Sequence, residues 1–315
     1  MIFIDPYWNS VALEALVTAV TVTGLYISNS AGSLSVAHAA LAGISGYIAA
    51  VLTTNFGCPF VVAVLAGACG AALAGALLSL LTSRMNLLVA GLATLAYGET
   101  AEVIAYNIDY IGGSNSFYGI PLHTTFSIAL FSLVCALFVA WRFDLSRLGR
   151  AAVAVRDDPV AAAASGIRIH YVRFASFVLG AFVAGVGGAL RVHYVLVVNP
   201  ADLGFTFSLP LVIMWVVGGS YVFWGAALAA IALTFIPELL RFSTDLRFVL
   251  YGVLLAVIIL RRPAGLIPRI PTGAVGRYLR RYIPAELKPS RAVLHVADGP
   301  TSSKPYQEDA DPNVG

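Results

Sequence analysis

Cationic side chains are nearly missing from the first 141 residues of the chain. Before residue 142 the sequence holds one, Arg84, and its only lysines, Lys288 and Lys304, stand near the C-terminus. Neither lysine belongs to a G-x-x-x-x-G-K-[ST] phosphate loop, which excludes ATP hydrolysis by that route. No H-E-x-x-H, G-x-S-x-G or C-x-x-C constellation occurs, so an intramembrane enzyme has no visible nucleophile or metal site, and no bound cofactor or metal is expected. Cys58, Cys69 and Cys135 are scattered, without the paired spacing of a metal site or a disulfide framework, and read as packing residues. The stretch GVGGAL at 185–190 lacks the strand context and third-glycine spacing of a dinucleotide site. The N-terminal MIFIDPYWNS lacks the positive residues that precede a signal's apolar region, so no cleavable signal is expected.

What the chain has instead is hydrocarbon. Of 315 residues, 59% are hydrophobic and 11% charged, with a mean hydropathy of +0.85, which is the composition of a membrane protein. Apolar runs near 11–29, 35–54, 59–81, 85–106, 124–141, 172–190 and 222–240 suit helices crossing about 30 Å of hydrocarbon. Shorter runs lie at 205–218 and 246–260. The expected fold is therefore an all-α, polytopic bundle of about nine spans, with eight or ten allowed because the short pair suits tilted or re-entrant segments. A membrane domain over 1–267 is expected to precede a basic, then polar tail over 268–315 whose composition is that of a disordered segment.

Arg142, Arg147, Arg150, Arg156, Arg168 and Arg173 crowd one segment, and more arginines begin at Arg261 and Arg262. By the positive-inside tendency, the 142–171 loop, the Arg84 turn and the C-terminus face the cytoplasm, and the N-terminus faces outward. The loop 107–123 has no Lys or Arg and agrees with an outward position. Arg191, Arg241 and Arg247 fit this topology less well.

Helices in lipid pack through small side chains. Gly67, Ala71 and Gly75 recur every four residues in one span, and Gly180, Ala184 and Gly188 in another; packing within the chain is the expected use, a subunit contact the alternative. Ionisable residues at membrane depth are costly and mark function by default. His38, Glu99 and Glu102 are the candidates. Glu99 and Glu102 lie three apart, on nearly one helix face, where they can meet a cation, share a proton or face a cavity; the alternative is a hydrogen bond to a hydroxyl or a broken backbone turn. An isolated histidine such as His38, after the polar SNSAGSLS, suits a structural hydrogen bond. Glu14 and Glu238, near span ends, are read as structural.

Inside the arginine-rich segment, AVRDDPVAAAASGIR (154–168) spells a short helix over 158–165. Asp158 suits the N-cap, Pro159 the first helical position and Gly166 the left-handed turn that ends it. About two turns of helix, roughly 10 Å long, must be stabilised by packing against something.

The surrounding GRAAVAVRDDPVAAAASGIRIHYVRFASFVLGAFVAGVGGAL (149–190) resembles the cytoplasmic loop and following span of LivM-type permeases of branched-chain amino acid ABC importers. Residues 32–52 resemble that family's Ser-rich second span with its His-Ala pair, 92–121 its T-L-A-[FY]-x-E segment and Gly-Gly loop, and 216–241 and 251–268 its closing segments. The likeness covers nearly the whole chain up to the tail. It implies a non-enzymatic permease of the bacterial cytoplasmic membrane that moves a small polar solute, a branched-chain or related amino acid being the familiar cargo, with ATP bound on partner subunits. Arg156, Asp157, Asp158, Pro159, Val160, Ala161, Ala162, Ala163 and Gly166 would then form the coupling helix and its surroundings, seated in a groove of the ATPase. The implied partners are a second homologous permease, forming a heterodimer, two ATPase subunits, an extracytoplasmic binding protein and membrane lipid, but no nucleic acid. Besides His38, Glu99 and Glu102, the outer-loop residues Asn107, Gly113, Ser114 and Asn115 are candidates for the translocation path.

Departures from the family pattern are Ala163 for Glu, Ser165 for Met, Tyr221 and Val222 for Gly and a small hydroxyl residue, and Ser116 for Gly. The alternative function is a proton-coupled secondary transporter relaying protons through Glu99 and Glu102, which leaves the capped helix without a purpose.

Overall fold

The computed structural model describes residues 6–219 and 222–239, together with Gly252. All regular elements among them are helical: α1 Pro6–Asn29, α2 His38–Thr54, α3 Phe60–Thr82, α4 Leu87–Tyr106, α5 Phe126–Leu145, α6 Arg147–Asp157, α7 Pro159–Ala164, α8 Ile169–Val195, α9 Phe205–Gly218 and α10 Phe223–Leu239. Single 3-10 turns occur at Asp109–Ile111, Gly113–Asn115 and Pro200–Leu203. Six helical segments are long and apolar enough to cross a membrane, the last being Pro200–Gly218, while α2 and α10 are apolar but shorter at 17 residues each. Eight of the nine expected apolar runs thus appear as helices. Apart from Gly252, the run at 246–260, the boundary at 268 and the tail lie outside the described residues.

α8 sits at the centre, packed on α1, α2 and α3. Its small residues explain how. A Cβ on Gly180 would stand 2.4 Å from the carbonyl oxygen of Gly24, and one on Gly188 would stand 2.0 Å from that of Ala42, so backbone meets backbone on both faces. Across the third face, a Cβ on Gly75 would lie 2.6 Å from the Ala181 methyl. Both stripes of small residues therefore pack within the chain, where lipid supplies no competing hydrophobic drive and close contact brings dispersion energy and weak hydrogen bonds. Ser45 adds a hydroxyl bond of 2.7 Å to the Gly185 carbonyl.

The chain breaks between α1 and α2, and the freed backbone is satisfied by polar side chains. The Ser35 amide donates to Asn29 Oδ1 (3.1 Å), the Val36 amide to Thr94 Oγ1 (3.0 Å) and the Ala37 amide to Ser35 Oγ (3.3 Å). Irregular backbone inside a membrane bundle is tolerated only where such partners exist. His38 belongs to this knot: Nε2 lies 2.8 Å from Ser28 Oγ and Nδ1 3.2 Å from Ser35 Oγ, with the ring fully buried against Phe177.

α6 is the element the sequence did not announce. Ser146 caps it by accepting from the Gly149 amide (3.0 Å), and Gly149, Ala152 and Val155 form its buried stripe. Gly149 is required there, because a Cβ would stand 2.1 Å from the Phe143 carbonyl oxygen.

Candidate functional site

At one end of the bundle, α7 forms with the predicted signals. Asp158 Oδ1 accepts from the Val160 and Ala161 amides at 2.9 and 3.0 Å, and Pro159 opens the helix. At the other end Gly166, with φ +80°, donates to the Ala163 carbonyl (2.9 Å) while Ile167 donates to that of Ala162 (3.0 Å), which is the paired C-terminal closure a left-handed glycine permits. Ala162 is buried at 4% exposure and roots the helix in the main core. Val160, 79% exposed, stands outward, as do Ala161, Ala163, Ala164 and Ser165. An exposed row of small side chains on a doubly capped helix makes a narrow, rigid ridge.

That ridge is tied to the spans. A Cβ on Gly32, which has φ +69°, would lie 3.0 Å from Arg156 Cα, so the α1–α2 break rests on the end of α6. Tyr26 of α1 donates to Asp144 Oδ2 at 3.0 Å, near the end of α5. Arg156 pairs with Asp157 at 3.7 Å. The Arg84 turn lies at this same end, since the Ser83 carbonyl oxygen meets His170 Nδ1 at 3.0 Å and Arg173 Nη1 at 3.4 Å.

At the opposite end, Glu99 and Glu102 of α4 converge on the start of α9. Glu99 Oε1 accepts from the Phe205 amide at 2.8 Å, and a Cβ on Gly204 would stand 1.8 Å from Glu102 Oε2. Two carboxylates thus face a helix N-terminus, whose free N–H groups and dipole favour negative charge. A side chain at position 204 would displace the Glu102 carboxylate. From the other side, Arg191 donates from Nε to Glu14 Oε1 (3.2 Å) and from Nη1 to Asp202 Oδ2 (3.0 Å), with its guanidinium 4.3 Å from the Phe207 ring centre. This neutralisation explains the arginine that fitted the charge rule poorly. The Pro200–Phe207 segment is therefore clasped by α1, α4 and α8.

The other path candidates lie elsewhere. His38 belongs to the α1–α2 knot, and Asn107, Ser114 and Asn115 are exposed in the loop after α4, where Asn107 Nδ2 bonds the Val103 carbonyl (2.7 Å). Gly113 is buried at φ +48°. This loop is pinned by the antiparallel pair Phe117–Val198, with N–O distances of 2.9 and 3.1 Å. Glu238 receives a bond from Tyr7. Arg191, Asp202, Gly204 and α6 were not singled out as functional; the one available signal was an arginine at membrane depth.

Two variants check this end. Ser116, at φ 64° and ψ 165°, occupies a region that essentially only glycine adopts, at a cost of about 1–3 kcal/mol. Ser116→Gly is expected to stabilise the loop by about 1 kcal/mol, read as a raised midpoint in thermal unfolding in detergent. Glu99→Ala should expose the start of α9 and speed hydrogen exchange at the Phe205 amide several-fold, whereas Glu99→Gln keeps an acceptor oxygen and should not. Equal exchange in both variants contradicts the clasp.

Compared with known proteins, residues 8–260 match the family model described as branched-chain amino acid transport system / permease component. The chain is 25% identical over 305 residues to the high-affinity branched-chain amino acid transport system permease protein LivM of Escherichia coli (strain K12), covering 83% of this chain and 72% of that protein. It is 27% identical over 273 residues to the protein of the same name from Salmonella typhimurium (strain LT2), covering 75% of this chain and 64% of the relative. No solved structure matches.

Proposed function

The chain belongs to the branched-chain amino acid transport permease family, and from that premise we propose that it is the membrane-spanning subunit of an ABC importer for a branched-chain or related amino acid. The observation that carries the reading is the family match over residues 8–260, joined by a capped, outward-facing α7 that has no role in a self-sufficient transporter.

In this reading α7 is the coupling helix. Val160, Ala161, Ala163 and Ala164 enter a groove on an ATPase subunit, and α6, Tyr26–Asp144 and Gly32–Arg156 pass the resulting displacement to α5 and to the α1–α2 break. A second, homologous permease completes the pathway as a heterodimer, two ATPase subunits bind the ATP, and an extracytoplasmic protein delivers the solute. The chain lies in the bacterial cytoplasmic membrane with α7 and the C-terminus inside. The clasp of Glu99 and Glu102 on α9 holds the outer end of the path, with the exposed loop 107–116 at its entrance. Proton relay through Glu99 gains no support from the relatives, which are named as transport permeases, and Glu99 Oε1 is already engaged by the Phe205 amide.

Affinity purification of the tagged chain from its native membrane is expected to recover a second permease and ATPase subunits in fixed ratio, and ATP hydrolysis that disappears when those subunits are stripped. A chain that purifies alone, and accumulates solute in proteoliposomes under a proton gradient without ATP, overturns the reading.

A further inference from the structure

Arg173 is the one half-buried cation in this bundle whose charge the described chain leaves unanswered. It stands in the first turns of α8, at the end that carries the Arg84 turn and α7. Its Nε is buried without a hydrogen-bond partner, its Nη1 reaches only the Ser83 carbonyl at 3.4 Å, and no described carboxylate pairs with it. Arg191, the comparable arginine at the opposite end, has two carboxylates. A guanidinium held partly out of water without a counter-charge is unfavourable, and its unanswered donors suit a negative charge supplied from outside the chain.

The surroundings of Arg173 say what kind of charge that is. It lines a small cavity together with Ser33, Ser79, Thr82, Ser83 and Thr94, and no carboxylate is among the lining residues. The cavity, about 20 Å³, has room for one water molecule or for a single oxygen of a larger anion. It opens where α3 ends and α4 begins, and on either side the apolar side chains Leu80, Leu81, Leu87 and Leu88 are exposed. Hydroxyls and a guanidinium at the mouth, with leucines rising from it along two spans, match an amphiphile: an anionic oxygen inside and hydrocarbon outside.

We propose that this cavity seats the phosphodiester headgroup of an anionic membrane lipid, with one phosphate oxygen on Arg173 and the acyl chains along the leucines of α3 and α4. The bound lipid bridges the Arg84 turn, the start of α8 and the α1–α2 break, which itself rests on Arg156 next to α7. It stiffens the joint on which the proposed coupling depends, but its binding rests only on the geometry around Arg173 and is testable whether or not transport is coupled as proposed.

The test is native mass spectrometry of the delipidated protein, purified with whatever subunits accompany it, after titration with phosphatidylglycerol or phosphatidylcholine. The wild type is expected to retain phosphatidylglycerol about tenfold more strongly than phosphatidylcholine, whose choline cation offsets the phosphate charge that Arg173 would answer. Arg173→Gln should lose that preference while Arg142→Gln, exposed at the end of α5 and outside the cavity lining, keeps it. Millimolar inorganic phosphate should not displace the lipid. Equal retention of the two lipids by the wild type, which needs no variant to fold, overturns the proposal, as does an unchanged preference in Arg173→Gln. Displacement by inorganic phosphate overturns the lipid as the source and makes the site one for a soluble anion.

Discussion

Ala162→Pro should leave the protein in the membrane in near-normal amount and abolish ATP-driven uptake. The Ala162 amide donates to the Asp158 carbonyl at 3.0 Å, closing the first turn of α7. Proline removes that donor, and its ring collides with the same carbonyl, costing about 3 kcal/mol, enough to unmake a six-residue helix that has almost no stability of its own. The spans are spared because their backbone bonds are internal and their contacts are with one another. Ala162 is also buried, so a fault in folding must be separated from a fault in coupling. Val160→Arg does this, because Val160 touches solvent and not the core. It should fold as the wild type does and still lose ATPase subunits on purification. Normal uptake by both variants at normal expression removes α7 from the mechanism.

The second large effect concerns the core. Gly188→Leu is expected to prevent α8 from seating against α2. Its Cβ would stand 2.0 Å from the Ala42 carbonyl oxygen and 2.5 Å from the carbonyl carbon, and neither atom can swing aside as a side chain does. The helices must part, breaking contacts along both. Overpacking of this kind costs about 3 kcal/mol or more, read as loss of monodisperse protein on size exclusion and a lowered unfolding temperature. Leu73→Ala, on the exposed face of α3, should leave both unchanged. A Gly188→Leu protein as stable as the wild type contradicts the central position of α8.

What could be read in advance was local or periodic. Apolar run length located eight helices, and the Asp158, Pro159 and Gly166 signals located α7 because caps act within a few residues. The small-residue stripes were assigned to packing within the chain for the right reason, although their partners Gly24, Ala42 and Ala181 were not legible. α6 was missed because its apolar stripe, Ala152 and Val155 with the half-buried Leu148, is interleaved with three arginines and reads as part of a charged loop. Arg191 looked like a topological misfit because its partner Glu14 lies 177 residues away, and no pattern along the chain announces such a pair. Glu99 and Glu102 were rightly placed on one face. That their object is a helix N-terminus more than a hundred residues later depends on how α9 folds back, which a one-dimensional reading does not contain. Ser116 was noticed as a departure from the family's glycine, and the structure supplies the reason glycine belongs there: a positive φ.

What α7 touches decides its role, and site-specific photocrosslinking in the intact membrane measures that contact most directly. A photoreactive amino acid is placed in turn at Val160, Ala163 and Ala164 on the exposed ridge, and at Leu77 on the exposed face of α3. Each ridge position is expected to crosslink to a single soluble subunit that binds ATP, a product lost when ATPase subunits are absent, and Leu77 to give none. Crosslinks from the ridge only to lipid, with ATP-driven uptake intact, would contradict the coupling role of α7.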